Sequence, residues 1–276
     1  MADHIEITNI EERRTSFNSV AEIYDHIRPS YPPALFEQID TLLSPTAKNR
    51  AALEIGIGTG QATPHFLARG FHITALDIAP DMLAIARNRI KDQNCSFVLS
   101  SFEDFKSPPD RFDLIYAAQS FHWVDPSTGY EKAANLLRKD GSLALIWNVK
   151  RKFADPDEEI LQRIYETHAP ALCSKPEGRA PFVRVALQNA QRNLANRRNL
   201  FPYITKLSVE WTKTYTTQDY ICLLESYSDH IVLENPAKSA LFKAIADWLD
   251  AKGGEISVVY DSVTLLARKS STNPTL

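Results

Sequence analysis

Three glycines at alternate positions, Gly56, Gly58 and Gly60, follow a short apolar run in the stretch ALEIGIGTGQAT. Glycine tolerates left-handed backbone angles and has no Cβ, so a turn built from it lets main-chain N–H groups come close to a bound molecule. Two carboxylates flank the turn. Glu54 stands just before Gly56, and Asp77 ends the next apolar run, FHITALD. A carboxylate about twenty residues beyond such a turn can accept from both hydroxyls of a ribose. Together these residues describe a cradle for a nucleoside.

The spacing also bears on which nucleoside. A dinucleotide fingerprint, G-x-G-x-x-G, needs its third glycine at position 61, where this chain has Gln61. Glu54 is awkward beside two phosphates but acceptable beside a ligand with an ammonium and a sulfonium. S-adenosylmethionine carries those groups and no phosphate, so the balance tips to it over NAD. Asp77 does not discriminate, because NAD enzymes use the same device. With Pro80 close behind it, Asp77 also suits a helix start.

The elements that must position these residues can be read from periodicity. AALEI, FHITALD, CSFVL, FDLIYAA and SLALIWN are apolar runs of strand length, several nearly continuous, as expected of parallel strands covered on both faces. Between them, APDMLAIARNRI places Leu83, Ala86 and Ile90 on one helical face. Asp125 before Pro126, and Asp155 before Pro156, have the form of a cap followed by proline in the first turn. This alternation predicts a doubly wound α/β sheet. After residue 169 the period is lost across an arginine-bearing insertion, read as partly helical and packed over one sheet edge. ITKLSVEWTKTYT then reads as a strand, TTQDYICLLESYSDH and PAKSALFKAIADWLD as helices, and GGEISVVYDSVTLLARK as a closing strand. Gly253 and Gly254 mark the end of the helix before it. The expected division is an N-terminal lid and binding core over 1–169, an insertion and acceptor-side cap over 170–235, and a final helix and strand over 236–270.

Composition narrows the class. With 276 residues, 44% hydrophobic and 24% charged, the chain reads as a soluble globular protein, and its formal net charge of −3 argues against general affinity for nucleic acid. No apolar run approaches the roughly 18 residues of a membrane span, and MADHIEITNIEERR lacks a signal-peptide core. Cys95, Cys173 and Cys222 are odd in number and far apart, which suggests thiols in a reducing compartment, not a zinc site or a disulfide framework. The expectation is a cytoplasmic enzyme with no metal, no nucleic-acid partner and no membrane attachment.

The stretches FNSVAEIYDHIRPSYP, LEIGIGTGQAT, ALDIAPDMLAIAR, SSFEDF, YAAQSFHWVD and TYTTQDYICLLESYSDH resemble those of class I S-adenosylmethionine-dependent methyltransferases of the type 11 group, near the trans-aconitate methyltransferase-like members. The resemblance implies a Rossmann-like seven-stranded sheet with its last strand antiparallel, a helical cap, and the cofactor at the carboxyl ends of the first strands. It also implies that Gly56, Gly58, Thr59 and Gly60 approach the methionine half, with Glu54 beneath them. Asp77 would hold the ribose, Ile78 and Met82 would border the adenine, and Gln119 would meet the methionine amino group. Many relatives place an acid where this chain has Ser101; the Ser101 hydroxyl or the Phe102 N–H, with Glu103 beside them, would then read the adenine edge. Tyr24, Arg28 and Tyr31 resemble a lid, with Tyr24 and Arg28 toward the cofactor.

On the acceptor side, Tyr31, His122, Trp123 and Tyr227 are the candidates for contact with a small-molecule methyl acceptor. His122 is either a base, a hydrogen-bond donor or part of the wall. Asp229 and His230 are adjacent, and neighbours on a helix face different directions, so they read as a helix-terminus histidine with a nearby acid rather than a catalytic dyad. Arg28 suits an acidic partner, and so do some of the insertion arginines Arg179, Arg184, Arg192, Arg197 and Arg198. In-line methyl transfer to a carboxylate or hydroxyl oxygen is the expected reaction. The alternatives are an NAD(P)-dependent oxidoreductase, disfavoured by Gln61 and Glu54, and a non-catalytic cofactor-binding protein.

Overall fold

Near-continuous apolar runs become buried strands because helices cover both faces of a parallel sheet. The computed structural model describes residues 27–43, 50–173, 182–231 and 233–270. Its elements run in the order α1 (Pro33–Leu42), β1 (Ala51–Ile55), α2 (Thr63–Leu67), β2 (His72–Asp77), α3 (Pro80–Arg89), β3 (Cys95–Leu99) and β4 (Phe112–Ala118). Next come α4 (Gly129–Leu136), β5 (Leu137–Lys150), α5 (Asp157–His168) and α6 (Phe182–Ala195). The chain continues with β6 (Tyr203–Thr216), α7 (Thr217–Glu225), α8 (Ser228–Ile231), α9 (Asn235–Ala251) and β7 (Glu255–Arg268). The strands form one seven-stranded sheet in the order β3-β2-β1-β4-β5-β7-β6, with β1 to β5 parallel and the last strands antiparallel. This is the doubly wound, Rossmann-like arrangement expected from the sequence. The order reverses beside β1, where open α/β sheets place their ligands.

Packing groups the described residues into two units. One draws on Ser30–Asn148, Val183–Val209 and Ser262–Leu276. Its centre is aromatic: Phe66 meets Phe36 and Phe71 edge-on, with centroids 5.1 and 5.7 Å away, and lies 4.3 Å from Tyr116. Leu83, Ala86 and Ile90 are all buried there, so the α3 face expected from spacing is the face that packs. Burying one such large apolar side chain contributes about 1.5–3 kcal/mol. Helix α6, from the aperiodic insertion, belongs to this unit. Arg197, just beyond it, donates to Glu131 at 2.9 Å and to the Pro126 carbonyl at 2.7 Å, and lies over the Tyr130 ring.

The other unit draws on Met1–Pro29, Val149–Phe182 and Glu210–Asp261. Its core includes Leu161, Tyr220, Leu223, Leu241, Ile245 and Leu249 from α5, α7 and α9. Gly253 and Gly254, with φ of +106° and +81°, close α9. The two Asp-Pro sites behave differently from the expectation. Helix α4 starts at Gly129, because the Asp125 carboxylate accepts from the N–H and hydroxyl of Ser127 and makes a turn there instead. Helix α5 starts at Asp157, and Glu158 reaches back to the Phe153 N–H. No helix among the described residues is long and apolar enough to cross a membrane.

Candidate active site

At the end of β1 the chain turns through Gly56, Gly58 and Gly60 with φ of +68°, +57° and +83°. A Cβ on Gly56 would stand 2.6 Å from the Cβ of Ser120, so only glycine lets the exits of β1 and β4 come this close. Gly58 differs: nothing lies within 4 Å of where its Cβ would be, and its N–H donates to Asp77 at 2.8 Å. The other Asp77 oxygen accepts from Ala79 N–H at 2.9 Å, at the start of α3. One carboxylate thus ties the glycine turn to the next helix.

Beneath the turn, the register sets Glu54 beside Tyr116 of β4. Glu54 is 1% exposed and accepts from Thr63 Oγ1 at 2.7 Å and from the Tyr116 hydroxyl at 2.8 Å. Burial pushes its carboxyl up from 4.5 to about 7, against the opposing effect of those two hydrogen bonds.

Beyond β4, Gln119 holds φ of +60°, a left-handed angle that costs a residue with a Cβ. Its N–H donates to the Ile146 carbonyl at 2.9 Å, while its Oε1 is buried with no hydrogen-bond partner. Thr59 Oγ1, in the glycine turn, is also buried without one. Unmet buried acceptors of this kind cost about 1–3 kcal/mol each. Backbone strain and unmet acceptors at the end of the central strands are the marks of a ligand site. His122 and Trp123 follow in a short 3-10 turn with ring centroids 4.8 Å apart. The indole N–H of Trp147 donates to His122 Nδ1 at 3.4 Å.

The loop after β3 is internally held. The Ser101 hydroxyl donates to Asp104 Oδ2 at 2.7 Å and accepts from the Asp104 N–H at 3.0 Å. The Ser101 hydroxyl, one of the two groups expected to read an adenine edge, thus also serves its own turn. Lys132 of α4 donates to the carbonyls of Glu103 and Phe105 at 2.8 and 2.7 Å, and Glu103 accepts from the Asp125 N–H. Ile78 is half-buried just past β2. Met82 is buried within α3.

Of the lid residues, Tyr24 lies outside the described residues, as does Arg179 of the insertion. Tyr31 is buried with its ring edge-on to Phe36. Arg28 donates to the Ser226 carbonyl and lies 4.7 Å over the ring of Tyr227. Asp229 and His230 meet at the end of α8, as a helix-terminus histidine with a nearby acid. In the single turn of α8 the Asp229 carboxylate curls back to His230 Nδ1 at 2.6 Å, while Nε2 meets the Tyr165 hydroxyl at 2.7 Å. Arg197 is committed as described above, and Arg198 donates to the Pro202 carbonyl at 2.9 Å.

Comparison with known proteins decides what family this site belongs to. Residues 53–145 match the family model of a methyltransferase domain. An uncharacterized methyltransferase of Mycobacterium tuberculosis is 30% identical over 213 residues, covering 77% of this chain and 76% of that one. The chain belongs to the class I S-adenosylmethionine-dependent methyltransferases. A malonyl-[acyl-carrier protein] O-methyltransferase of Paenibacillus is 39% identical to the methyltransferase over 99 residues, 33% of this chain and 36% of that one. In fold, it is similar to a protein of Anaeromyxobacter dehalogenans assigned as a type II methyltransferase. That likeness has a TM-score of 0.63 and 21% identity, and covers 89% and 99% of the two chains.

The cofactor of this methyltransferase is S-adenosylmethionine, and the residues present fit it. The open space at Gly58 admits a ligand, and the carboxylate of Asp77 stands within that turn. The unmet Gln119 Oε1 is the acceptor that an ammonium needs. The residues that sequence reading missed are the supporting ones: Thr63 and Tyr116 around Glu54, Trp147 behind His122, and Lys132 under the loop. Their partners are distant in sequence, and no local motif signals them.

Proposed function

We propose that this methyltransferase acts on an oxygen of a small molecule, a carboxylate or a hydroxyl, by in-line displacement. The observation that carries the reading is the exit of β4, where a strained Gln119 with an unmet Oε1 is followed within four residues by His122 and Trp123. This reading gives Gln119 to the cofactor and His122 and Trp123 to the acceptor, all on one short stretch of chain. When bound, S-adenosylmethionine supplies a methyl on a sulfonium sulfur, so that an oxygen lone pair closes the new O–C bond while the C–S pair returns to sulfur. In this reading the main chain of Gly56, Gly58, Thr59 and Gly60 borders the methionine half. Asp77 accepts from the ribose hydroxyls, Gln119 Oε1 holds the ammonium, and the Phe102 N–H with Ile78 borders the adenine. Glu54 acts from below, as a buried carboxyl that accepts from Thr63 and Tyr116 and keeps the turn in place. His122 and Trp123 form the acceptor wall, and such alignment requires no covalent intermediate.

An oxygen acceptor is supported by the absence of an Asn/Asp-Pro-Pro-Tyr motif after β4, where Gln119-Ser120-Phe121-His122-Trp123 stands. The Paenibacillus relative, an O-methyltransferase by name, adds support over the third of the chain it matches. The three cysteines, odd in number and far apart in the sequence, suit a reducing compartment, which supports the cytoplasm as the place of work. The test has two stages. Calorimetry should give micromolar binding of S-adenosylmethionine and at least about 100-fold weaker binding of NAD, or ~2.7 kcal/mol. A screen of carboxylic acids, phenols and amines with methyl-labelled cofactor should then label oxygen. Label on amines alone would refute the oxygen reading.

A further inference from the structure

Trp147 sits in β5 with 1% of its surface exposed, and an indole offers one donor and no acceptor. Among the described residues its N–H has a single hydrogen-bond partner, Nδ1 of His122 at 3.4 Å. The direction of that bond is fixed by chemistry, so Nδ1 must accept. A neutral imidazole carries one proton, which places it on Nε2. The opposite tautomer, and equally the imidazolium, would set two donors face to face and strand a buried N–H.

We propose that Trp147 is a positioning residue that fixes His122 as an Nε2–H donor, so that His122 orients an acceptor oxygen arriving without a proton and does not act as a base. The substrate consequence rests on the functional reading above; the tautomer itself does not. As a donor, Nε2–H binds an anionic oxygen and leaves its lone pair free to attack. No proton then changes hands, because the anion becomes a neutral ester oxygen as the sulfonium becomes a neutral thioether. A neutral hydroxyl would have to lose a proton, and Nε2 has no lone pair to take it.

The experiment is nitrogen NMR on protein labelled at histidine, with His122 assigned by its loss in H122Q. Wild type should show His122 protonated on Nε2 and bare on Nδ1, and W147F, which keeps the aromatic bulk and removes the donor, should show mixed tautomers. A proton on Nδ1 in wild type, or an unmoved tautomer in folded W147F, would overturn the proposal. The wild-type spectrum decides even if W147F does not fold. On the best carboxylate from the acceptor screen, H122Q, whose amide nitrogen replaces the Nε2 donor, should keep kcat within about tenfold, while H122F should lose about 100-fold. Equal loss in both would remove the donor role. If no carboxylate is methylated at all, the functional reading falls, and the spectra still decide the tautomer.

Discussion

Replacing Glu54 by Gln removes a buried charge while keeping the shape of the side chain and an oxygen for Thr63 and Tyr116. Burial holds the Glu54 carboxyl at about 7, against 4.5 for an ordinary carboxyl. Between those values the folded chain keeps a proton that the unfolded chain releases. Stability therefore falls as pH rises through this window and levels off above about 7. A separation of that size corresponds to roughly 3 kcal/mol of folding free energy lost at alkaline pH, at about 1.4 kcal/mol per pH unit. Urea unfolding of wild type and E54Q at pH 5, 6, 7 and 8 isolates this contribution, because the other titrating groups are common to both. E54Q should gain on wild type by roughly 2–3 kcal/mol from pH 5 to pH 8. A difference that is flat with pH would show that Glu54 is ionised throughout. A wild type that gains on the variant would reverse the sign and refute the reasoning.

Asp77→Asn keeps an acceptor but removes the charge, and S-adenosylmethionine binding measured by calorimetry should weaken by about 1.5–3 kcal/mol. Unchanged affinity would confine Asp77 to bracing Gly58 and Ala79. Gln119→Gly relieves the left-handed angle, so thermal stability should hold or rise by up to about 1 kcal/mol while cofactor affinity drops about tenfold. A parallel loss of both would mean that the strain serves packing alone. Arg197→Ala removes the hydrogen bonds to Glu131 and Pro126 and the contact with Tyr130, and should destabilise by about 1–2 kcal/mol. Hydrogen exchange should then quicken in α6 first; exchange unchanged in α6 would count against that anchor.

What the sequence shows depends on how far apart the interacting residues lie. The inward face of α3 was legible because Leu83, Ala86 and Ile90 carry the helical period themselves. The glycine turn and Asp77 were legible because their spacing is local. The environment of Glu54 was not, since Tyr116 reaches it only through the β1–β4 register, 62 residues away. The pairing of Ser101 within its own turn was missed for a different reason. Its competing partner, Asp104, is three residues on, and local side-chain hydrogen bonds to turns are individually weak signals. The same holds for Asp125, whose carboxylate chose Ser127 over capping a helix. The Asp229–His230 contact departs from the helical rule because α8 is too short to impose it.

The double duty of Asp77 bears on how fast molecules exchange. Its two oxygens hold the N–H groups of Gly58 and Ala79, so the cradle has its curvature without help from a guest. A preformed recess requires little folding at the moment of encounter, and ligands of similar charge and size should arrive at similar rates. Differences among nucleoside analogues then fall mainly on how long each one stays. In the proposed reading the spent nucleoside differs from the cofactor by a methyl and its positive charge, and it keeps the ribose contact which that reading gives to Asp77. Under that reading a weaker ribose contact shortens the stay of cofactor and spent nucleoside alike.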